Sequence, residues 1–463
     1  MTDQNQYLLE LTKVPVQRSG RELIKDVSFR LPYSRYIELQ GQNGSGKTSL
    51  LRKLASMSNG NATTDKGEMK HSPDLSVFYF GHQSGFRPEL KITEQLTLSL
   101  SMYGQHIQAV QLKSLLQKIG LSHQIHSRIR HLSQGQIRRL MLGIMLHSGC
   151  QLWLIDEPLN ALDSNGIDLL KELLTQHFQA GGSAIIATHR SLSEAMPAID
   201  FFSSGKLFID SSQARFIEST PSHTNSCVHP VRTTHVRISM SAVDTLLWIV
   251  KREITLTAAR PQDMVWPSVF HWMVISLFPF GIGTETEFLT KAAGGIFWIS
   301  ALLATLIGAN RFFEIDFEHG ALNDMNNANI SMPLLVFGKM LSGWLFMGIP
   351  LALISIPLGL LYGLGGQTLL VLFISLLLGS VTLTAFSSMF AALGLMARQA
   401  QIIVCLLAFP VFVPLIIFGT AAITGAQTGI GYTSPLLVLA NLATLSIIAL
   451  PVITGKVLIL ALE

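Results

Sequence analysis

Cysteine is scarce: Cys150, Cys227 and Cys405 are the three in 463 residues, and no two are close. That spacing excludes a disulfide framework, a thiolate zinc site and a C-x-x-C-H haem-attachment motif. Charge is scarce too, at 13% of residues with a mean hydropathy of +0.41. Soluble domains carry about a quarter. The shortage is local. Eight Lys or Arg and ten Asp or Glu lie between Ser241 and Glu463, against 25 and 19 in residues 1–240. The first half therefore reads as an ordinary soluble domain and the second as charge-starved. The positive balance belongs to the soluble half, and the chain's net charge of +4 is too small to argue for nucleic acid. The opening Met1-Thr2-Asp3-Gln4-Asn5-Gln6 is polar, so no signal peptide is expected there and the first domain is expected in the cytoplasm.

What is present is concentrated in one stretch, Gly41-Gln42-Asn43-Gly44-Ser45-Gly46-Lys47-Thr48. An apolar strand candidate, Tyr36 to Leu39, precedes it, and Ser49 to Leu54 opens a helix. Strand, G-x-x-x-x-G-K-T, helix is a phosphate-cradling loop. Its glycines let backbone N–H groups approach an anion, and the helix N-terminus adds a favourable dipole. Lys47 is placed to reach the β- and γ-phosphates, and the Thr48 hydroxyl to ligate Mg²⁺.

Further along, Ser76 to Gln83 reads as a strand ending in a glutamine. Ile92 to Ile129 is helix-rich. Leu132-Ser133-Gln134-Gly135-Gln136 opens a helix carrying Arg138 and Arg139. Leu152 to Pro158 is a buried strand ending in Asp156 and Glu157, Asn160 to Asp163 follows, and Ser183 to His189 is another buried strand ending in a histidine. With short strands at Leu8 to Val14 and Val27 to Leu31, this alternation predicts a mostly parallel sheet covered on both faces.

These motifs, in this order over about 200 residues, resemble the nucleotide-binding domain of ABC transporters. The resemblance implies α/β P-loop architecture, ATP and Mg²⁺ as cofactors, and a role for each match. Asp156 holds Mg²⁺ through water. Glu157 orients and deprotonates the attacking water. His189 contacts the γ-phosphate, Gln83 touches Mg²⁺ or water and reports nucleotide state, and Asp163 aligns a dimer interface. Ser133, Gly135 and Gln136 bind the γ-phosphate held by the opposing domain, so a second ATPase domain is implied as partner. Many ABC domains stack an aromatic on adenine near their start. Val14 to Gly20 has none, and Val16 or Arg18 is left for that position.

Ser211 to Ser241 is rich in Ser, Thr, His and Pro and predicts a flexible tether; His223, His229 and His235 invite a metal reading, but a solvated linker fits better. Ala242 to Arg260 alternates apolar and charged residues as an amphipathic helix at the inner membrane surface, with Trp248 expected at headgroup level. Five or six spans follow, with six favoured, roughly Met264–Ile282, Ala292–Ala309, Leu334–Leu364, Thr368–Leu395, Ile402–Ile423 and Leu436–Leu462, since a ~30 Å hydrocarbon core needs ~20 apolar residues. The expected domains are thus residues 1–210, a linker 211–241, and an all-α, six-helix membrane domain 242–463. Prolines Pro350, Pro357, Pro410, Pro414 and Pro451 are expected to kink these helices. With the ATPase cytoplasmic, Lys251, Arg252, Arg260, Arg311, Lys339, Arg398 and Lys456 fall inside and Lys291 outside, which obeys the positive-inside rule, and six spans return Glu463 to the cytoplasm. The loop Arg311 to Asp324 is unusually charged, and a short helix in it is expected to insert into an ATPase groove near Gln83.

The membrane half resembles CcmB, the membrane component of the bacterial cytochrome c maturation (Ccm) haem-handling ABC transporter. The resemblance rests on Leu277-Phe278-Pro279-Phe280-Gly281-Ile282-Gly283, on the run from Gly294 through Asp316-Phe317-Glu318-His319-Gly320-Ala321-Leu322, and on Pro414 to Gly419 with Ala421 and Ala422. The ATPase half is similar to CcmA, the ATPase component of the same system. The chain therefore looks like a fusion of the two in the bacterial inner membrane. This implies ATP-driven haem delivery, or release of a haem-loaded periplasmic chaperone, with Ccm membrane proteins, that chaperone and membrane lipid as partners. Axial-ligand candidates are few, His271 and His319 among them, which places haem handling on partner proteins. The rival expectations are a general ABC exporter of a lipid, drug or polysaccharide, and a membrane-anchored regulatory ATPase.

Overall fold

The structure, a computed structural model, describes residues 7–462 apart from 19–20, 57–66, 74, 161, 190–191, 193–195, 211–212, 219–240, 283–285, 310–311 and 397–399. Gly20, most of the expected tether with its three histidines, Arg311 and Arg398 lie outside the described residues. The chain divides into two compact units. The first takes residues 1–240 together with His319–Ile330, and the second takes Ser241–Glu318 and Ser331–Leu462.

In the first unit, strands β3 (Tyr36–Gly41), β5 (Val77–Phe80), β6 (Leu152–Asp156), β7 (Ser183–Ala187), β8 (Ser203–Asp210) and β9 (Gln213–Glu218) form a sheet in the order β5-β6-β7-β3-β8-β9. All pairs are parallel except β8–β9. Strands β6 and β7 are buried at every residue. That is why their sequences read as unbroken apolar runs rather than alternating ones. Helices α1 (Lys47–Ala55), α2 (Ile92–Met102), α3 (Ala109–Lys118), α4 (Gln134–His147) and α5 (Ser164–Gln179) accompany this sheet. One apolar core gathers Leu96, Leu116, Leu140, Ile155, Leu170 and Phe178; another packs α1 against β1, β2 and β3.

The unit also holds a second, antiparallel sheet, β2-β1-β4, from β1 (Tyr7–Arg18), β2 (Arg21–Pro32) and β4 (Glu68–His71). The sequence suggests two short strands here, but β1 and β2 are each 12 residues long. Register shifts between Leu11 and Val14 and between Val14 and Gln17 break the period-two alternation, and Lys13 has φ +52°. A bulged strand loses the pattern by which strands are read. Val16 is fully buried in this sheet's core and so is unavailable to a base, whereas Arg18 is exposed.

In the second unit, α6 (Ala242–Ala259) starts at Ser241, whose hydroxyl accepts from the Asp244 N–H. Trp248 is not at a surface level: it is 7% exposed and turned inward with Ile249, Arg252 and Leu256. The exposed apolar residues are instead Val243, Leu247 and Ile254. They recur at near-helical spacing, so they form one stripe.

Helices α7 (Gln262–Ile282), α8 (Thr286–Ala309) and α9 (Glu314–Glu318) follow; α10 (Ala321–Asn327) belongs to the first unit. Then come α11 (Met332–Gly343), α12 (Ile349–Leu361), α13 (Gly366–Gly394), α14 (Ala400–Thr428) and α15 (Thr433–Leu462). Among the described residues, five stretches are long and apolar enough to cross a membrane: Glu287–Glu318, Met332–Leu361, Gly366–Gly394, Pro410–Thr428 and Thr433–Leu462; Val265–Gly281 is a shorter apolar helix. The third expected span is α11 and α12 joined through a π turn at Trp344–Gly348. Pro350 lies just past that turn, and helix continues through Pro357, Pro410, Pro414 and Pro451.

Charge in this unit is paired. Arg252 donates from Nη2 to Asp316 Oδ1 at 2.5 Å and from Nη1 to Asp316 Oδ2 at 3.2 Å and Glu253 Oε1 at 2.8 Å. Lys339 Nζ lies 2.7 Å from Asp316 Oδ2 and 2.9 Å from Glu253 Oε1. The four side chains tie α6, α9 and α11 together. His271 is similarly enclosed: Nδ1 is 2.5 Å from Ser300 Oγ and Nε2 is 3.0 Å from Ser355 Oγ. Ser355 Oγ donates to the Leu351 carbonyl, so it accepts from the ring.

Candidate functional site

The site forms where β3, β6 and β7 end. The chain leaves β3 through Gly44 and Gly46, at φ +83° and +104°. Those values favour glycine, and Gly46 caps α1. A side chain at Gly41 would meet the Ile209 carbonyl oxygen at 2.5 Å, so the loop must be bare there. Lys47 is buried and folds back, donating to the carbonyls of Gly41 at 2.6 Å and Gln42 at 3.2 Å. Burial lowers its pKa, and the carboxylates of Glu157 and Asp156 oppose that. Ser45 Oγ is buried with no hydrogen-bond partner among the described residues. A buried hydroxyl left unpaired costs about 1–3 kcal/mol, so it fits a loop made to receive oxygen atoms. Ser49 follows on α1.

Asp156 ends β6. Thr48 Oγ1 donates to its Oδ2 at 2.8 Å, and Tyr79 OH donates to the same oxygen at 3.4 Å. Glu157 comes next with φ +50°, its N–H bonded to the Ala187 carbonyl at the end of β7. A non-glycine residue held in that region costs on the order of 1–3 kcal/mol and such strain clusters at functional sites. His189 Nε2 lies 2.9 Å from Glu157 Oε1. Burial pushes the Glu157 carboxyl up, while His189 and Lys47 pull it back. A carboxylate raised in this way is a better proton acceptor than an exposed one.

The structure thus gathers the phosphate loop, Thr48, Asp156, Glu157 and His189 into one cluster. The signature residues are elsewhere in the chain's own bonding. Ser133 caps α4: its hydroxyl accepts from the Gln136 N–H at 3.3 Å, and the Gln136 side chain accepts from the Ser133 N–H at 2.9 Å. Gly135 lies between them on the first turn. Asp163 caps α5 through the Gly166 N–H at 3.0 Å. Gln83 sits in the turn after β5, where a side chain at Gly320 would come within 2.9 Å of its Cβ.

That turn also meets the segment His319–Ile330. The Gly85 N–H donates to the His319 carbonyl at 2.9 Å, and Gly85 has φ +65°. A side chain at Gly85 would run into the Asp324 carboxylate. The inserted helix is therefore α10, at the end of the charged loop and just beyond it. Two residues escaped the sequence reading. Tyr79 was hidden inside an apolar strand, and Arg138 passed as one of two arginines on a helix, although it lies five positions after Ser133.

Comparison with known proteins gives each half a relative. The family described as CcmB protein matches residues 244–459, and the ABC transporter family matches residues 24–160. Heme exporter protein B of Pseudomonas aeruginosa is 35% identical over 212 residues, spanning 46% of this chain and 94% of that protein. The cytochrome c biogenesis ATP-binding export protein CcmA of Shewanella frigidimarina is 32% identical over 203 residues, 42% of this chain and 91% of its own length. The chain belongs to both families. It is a CcmA–CcmB fusion: an ABC ATPase domain with an ATP-binding site, followed by a multi-pass domain of the inner membrane, the ATPase cytoplasmic. A solved ATP-binding subunit of an ABC transporter aligns with 46% of this chain and 90% of its own, at 20% identity and a TM-score of 0.39.

Proposed function

We propose that this CcmA–CcmB fusion is the ATP-driven component of c-type cytochrome biogenesis, coupling ATP hydrolysis to haem delivery or to release of a haem-loaded chaperone. One observation supports coupling above all. The turn bearing Gln83 is hydrogen-bonded through Gly85 to His319, at the start of a segment whose flanking residues on both sides belong to the second unit.

In this reading ATP phosphates lie in the loop from Gly41 to Thr48, with Lys47 released from the Gly41 and Gln42 carbonyls to meet them. Thr48 and Asp156 would hold Mg²⁺, with Gln83 nearby, because a hydroxyl and a carboxylate are hard oxygen donors of the kind that ion takes. When bound, Mg²⁺ supplies charge neutralisation on the phosphate oxygens. Glu157 accepts a proton from the attacking water, and His189 steadies Glu157 and the terminal phosphate. Ser133, Gly135 and Gln136 complete the site of a second chain, with Asp163 at the interface. Catalysis is then chiefly positioning and charge stabilisation. The domain limits are taken as 1–210, 211–241 and 242–463, corrected at the first boundary, because β9 (Gln213–Glu218) pairs with β8 and carries the ATPase sheet into the expected linker.

His271 favours haem handling by partner proteins rather than by this chain. Both ring nitrogens are engaged by serines, and an axial ligand needs one free. The lipid-exporter alternative has one observation of its own, an apolar cavity of about 460 Å³ lined by Val269, Trp272, Phe346 and Pro350 among others. Deleting the gene separates the two. The Ccm reading expects loss of mature c-type cytochromes, restored by the parent chain and not by Glu157→Gln. Normal cytochrome levels in the deletion strain would sink it.

A further inference from the structure

The turn carrying Gln83 is held at both ends. At its far end Gly85 bonds to His319. At its near end the Gly81 carbonyl accepts from Arg138 Nη1 at 2.6 Å. Arg138 is on α4, five residues from the helix start at Ser133. The residue is 5% exposed, and its guanidinium lies over Phe80 with 5.1 Å to the ring centroid. The charge of Asp156 also acts on it.

Burying a guanidinium costs free energy that an apolar side chain of the same length would not incur. A buried charge aimed at one carbonyl therefore calls for a reason beyond stability. In the two-chain arrangement proposed above, one chain's Gln83 serves its own nucleotide, whereas its Ser133 serves the neighbour's. These two arms belong to one polypeptide but to different ATP molecules. Arg138 is the side chain that joins them.

We propose that Arg138 is a positioning residue linking the two nucleotide sites of a paired ATPase: it fixes the Gln83 turn to the helix that presents Ser133 to the neighbour. Occupancy at one site then sets how the other is completed. The lever is short, because Gly81 and Gln83 are two residues apart. It is also stiff, because Arg138 is buried and its fork has one orientation on Phe80. The inference rests on the two-chain sandwich reading.

The test uses the full chain in lipid nanodiscs, with Arg138→Met, Arg138→Lys and the parent compared. Mg-ATPase rate is followed against ATP concentration, and binding of a fluorescent ATP analogue is measured separately. Arg138→Met is expected to bind nucleotide within about twofold of the parent, because no atom of Arg138 belongs to the phosphate loop. Its kcat is expected to fall tenfold or more, and its Hill coefficient to drop from above 1 to 1. Arg138→Lys, which keeps the charge and loses the fork, should recover part of both. A Met variant with parental kcat and Hill coefficient overturns the proposal. So does one that loses nucleotide binding and cooperativity together with a lowered melting temperature, since that is a folding role. The sandwich itself is checked by the mass of Glu157→Gln with Mg-ATP while Arg138 is intact. If that protein does not pair, the sandwich reading fails and takes this inference with it; if it pairs and Arg138→Met behaves as the parent, the inference alone fails.

Discussion

The phosphate loop and the buried charge cluster of the second unit treat polar atoms in opposite ways. Around the phosphate loop they are left unfinished: Ser45 Oγ has no partner among the described residues, Glu157 is held at φ +50°, and His189 is 41% exposed. In the second unit the buried charges of Arg252, Glu253, Asp316 and Lys339 compensate one another, and both nitrogens of His271 are engaged. Chemistry needs groups that gain something when a ligand arrives, whereas architecture needs groups with nothing left to gain. The contrast separates reactive residues from structural ones more sharply than residue type does.

The largest effect should come from the unfinished side. Glu157→Gln keeps the shape and removes the proton acceptor, so the Mg-ATPase rate should fall on the order of 10²–10⁴-fold, read by phosphate release, with ATP still bound. A rate near the parent's would erase the distinction between the two units. Next is the finished side. Asp316→Asn leaves Arg252 and Lys339 short of negative charge in a buried site, which should destabilise the protein by about 3 kcal/mol or more, seen as a lowered melting temperature.

A smaller effect is expected at His271→Leu, which leaves the hydroxyls of Ser300 and Ser355 without the ring and should cost about 1–3 kcal/mol. Haem content of the purified variant should equal that of the parent, and its Mg-ATPase should be retained. Haem lost only from the variant would show that the closed histidine opens. The smallest effect concerns Asp324, a carboxyl of the first unit that burial perturbs. Burial lifts Asp324 from 3.8 to about 8. A raised carboxyl contributes its full stability below the unfolded value and loses it as pH rises through the folded one. The parent should therefore lose stability between about pH 4 and pH 8, with the loss completed just above that value. Asp324→Asn, which cannot ionise, should show a flatter melting temperature across this window and exceed the parent above pH 8.

The nucleotide pocket was legible because its parts are local. Glycines, lysine and threonine sit within eight residues, and Asp156, Glu157 and His189 each terminate an apolar run that announces a buried strand. The membrane helices were legible for the same reason, since hydropathy over about 20 residues is a local signal. The rest depends on which distant residues meet. Arg252, Asp316 and Lys339 carry no hint of one another at separations of 64 and 23 positions. Trp248 illustrates a different failure. An amphipathic pattern fixes that a helix has two faces but leaves open which face turns to protein, and here the aromatic went inward while Val243, Leu247 and Ile254 stayed out. The paired strands Tyr7–Arg18 and Arg21–Pro32 looked short because bulges interrupt their alternation.

The reciprocal bonds between Ser133 and Gln136 carry one last implication. The Gln136 N–H donates to the Ser133 hydroxyl, which accepts it and keeps its own proton free for an arriving oxygen. The Gln136 side chain in turn holds the Ser133 N–H. The helix start is thus set in advance, and the donor left over needs no rearrangement to be used.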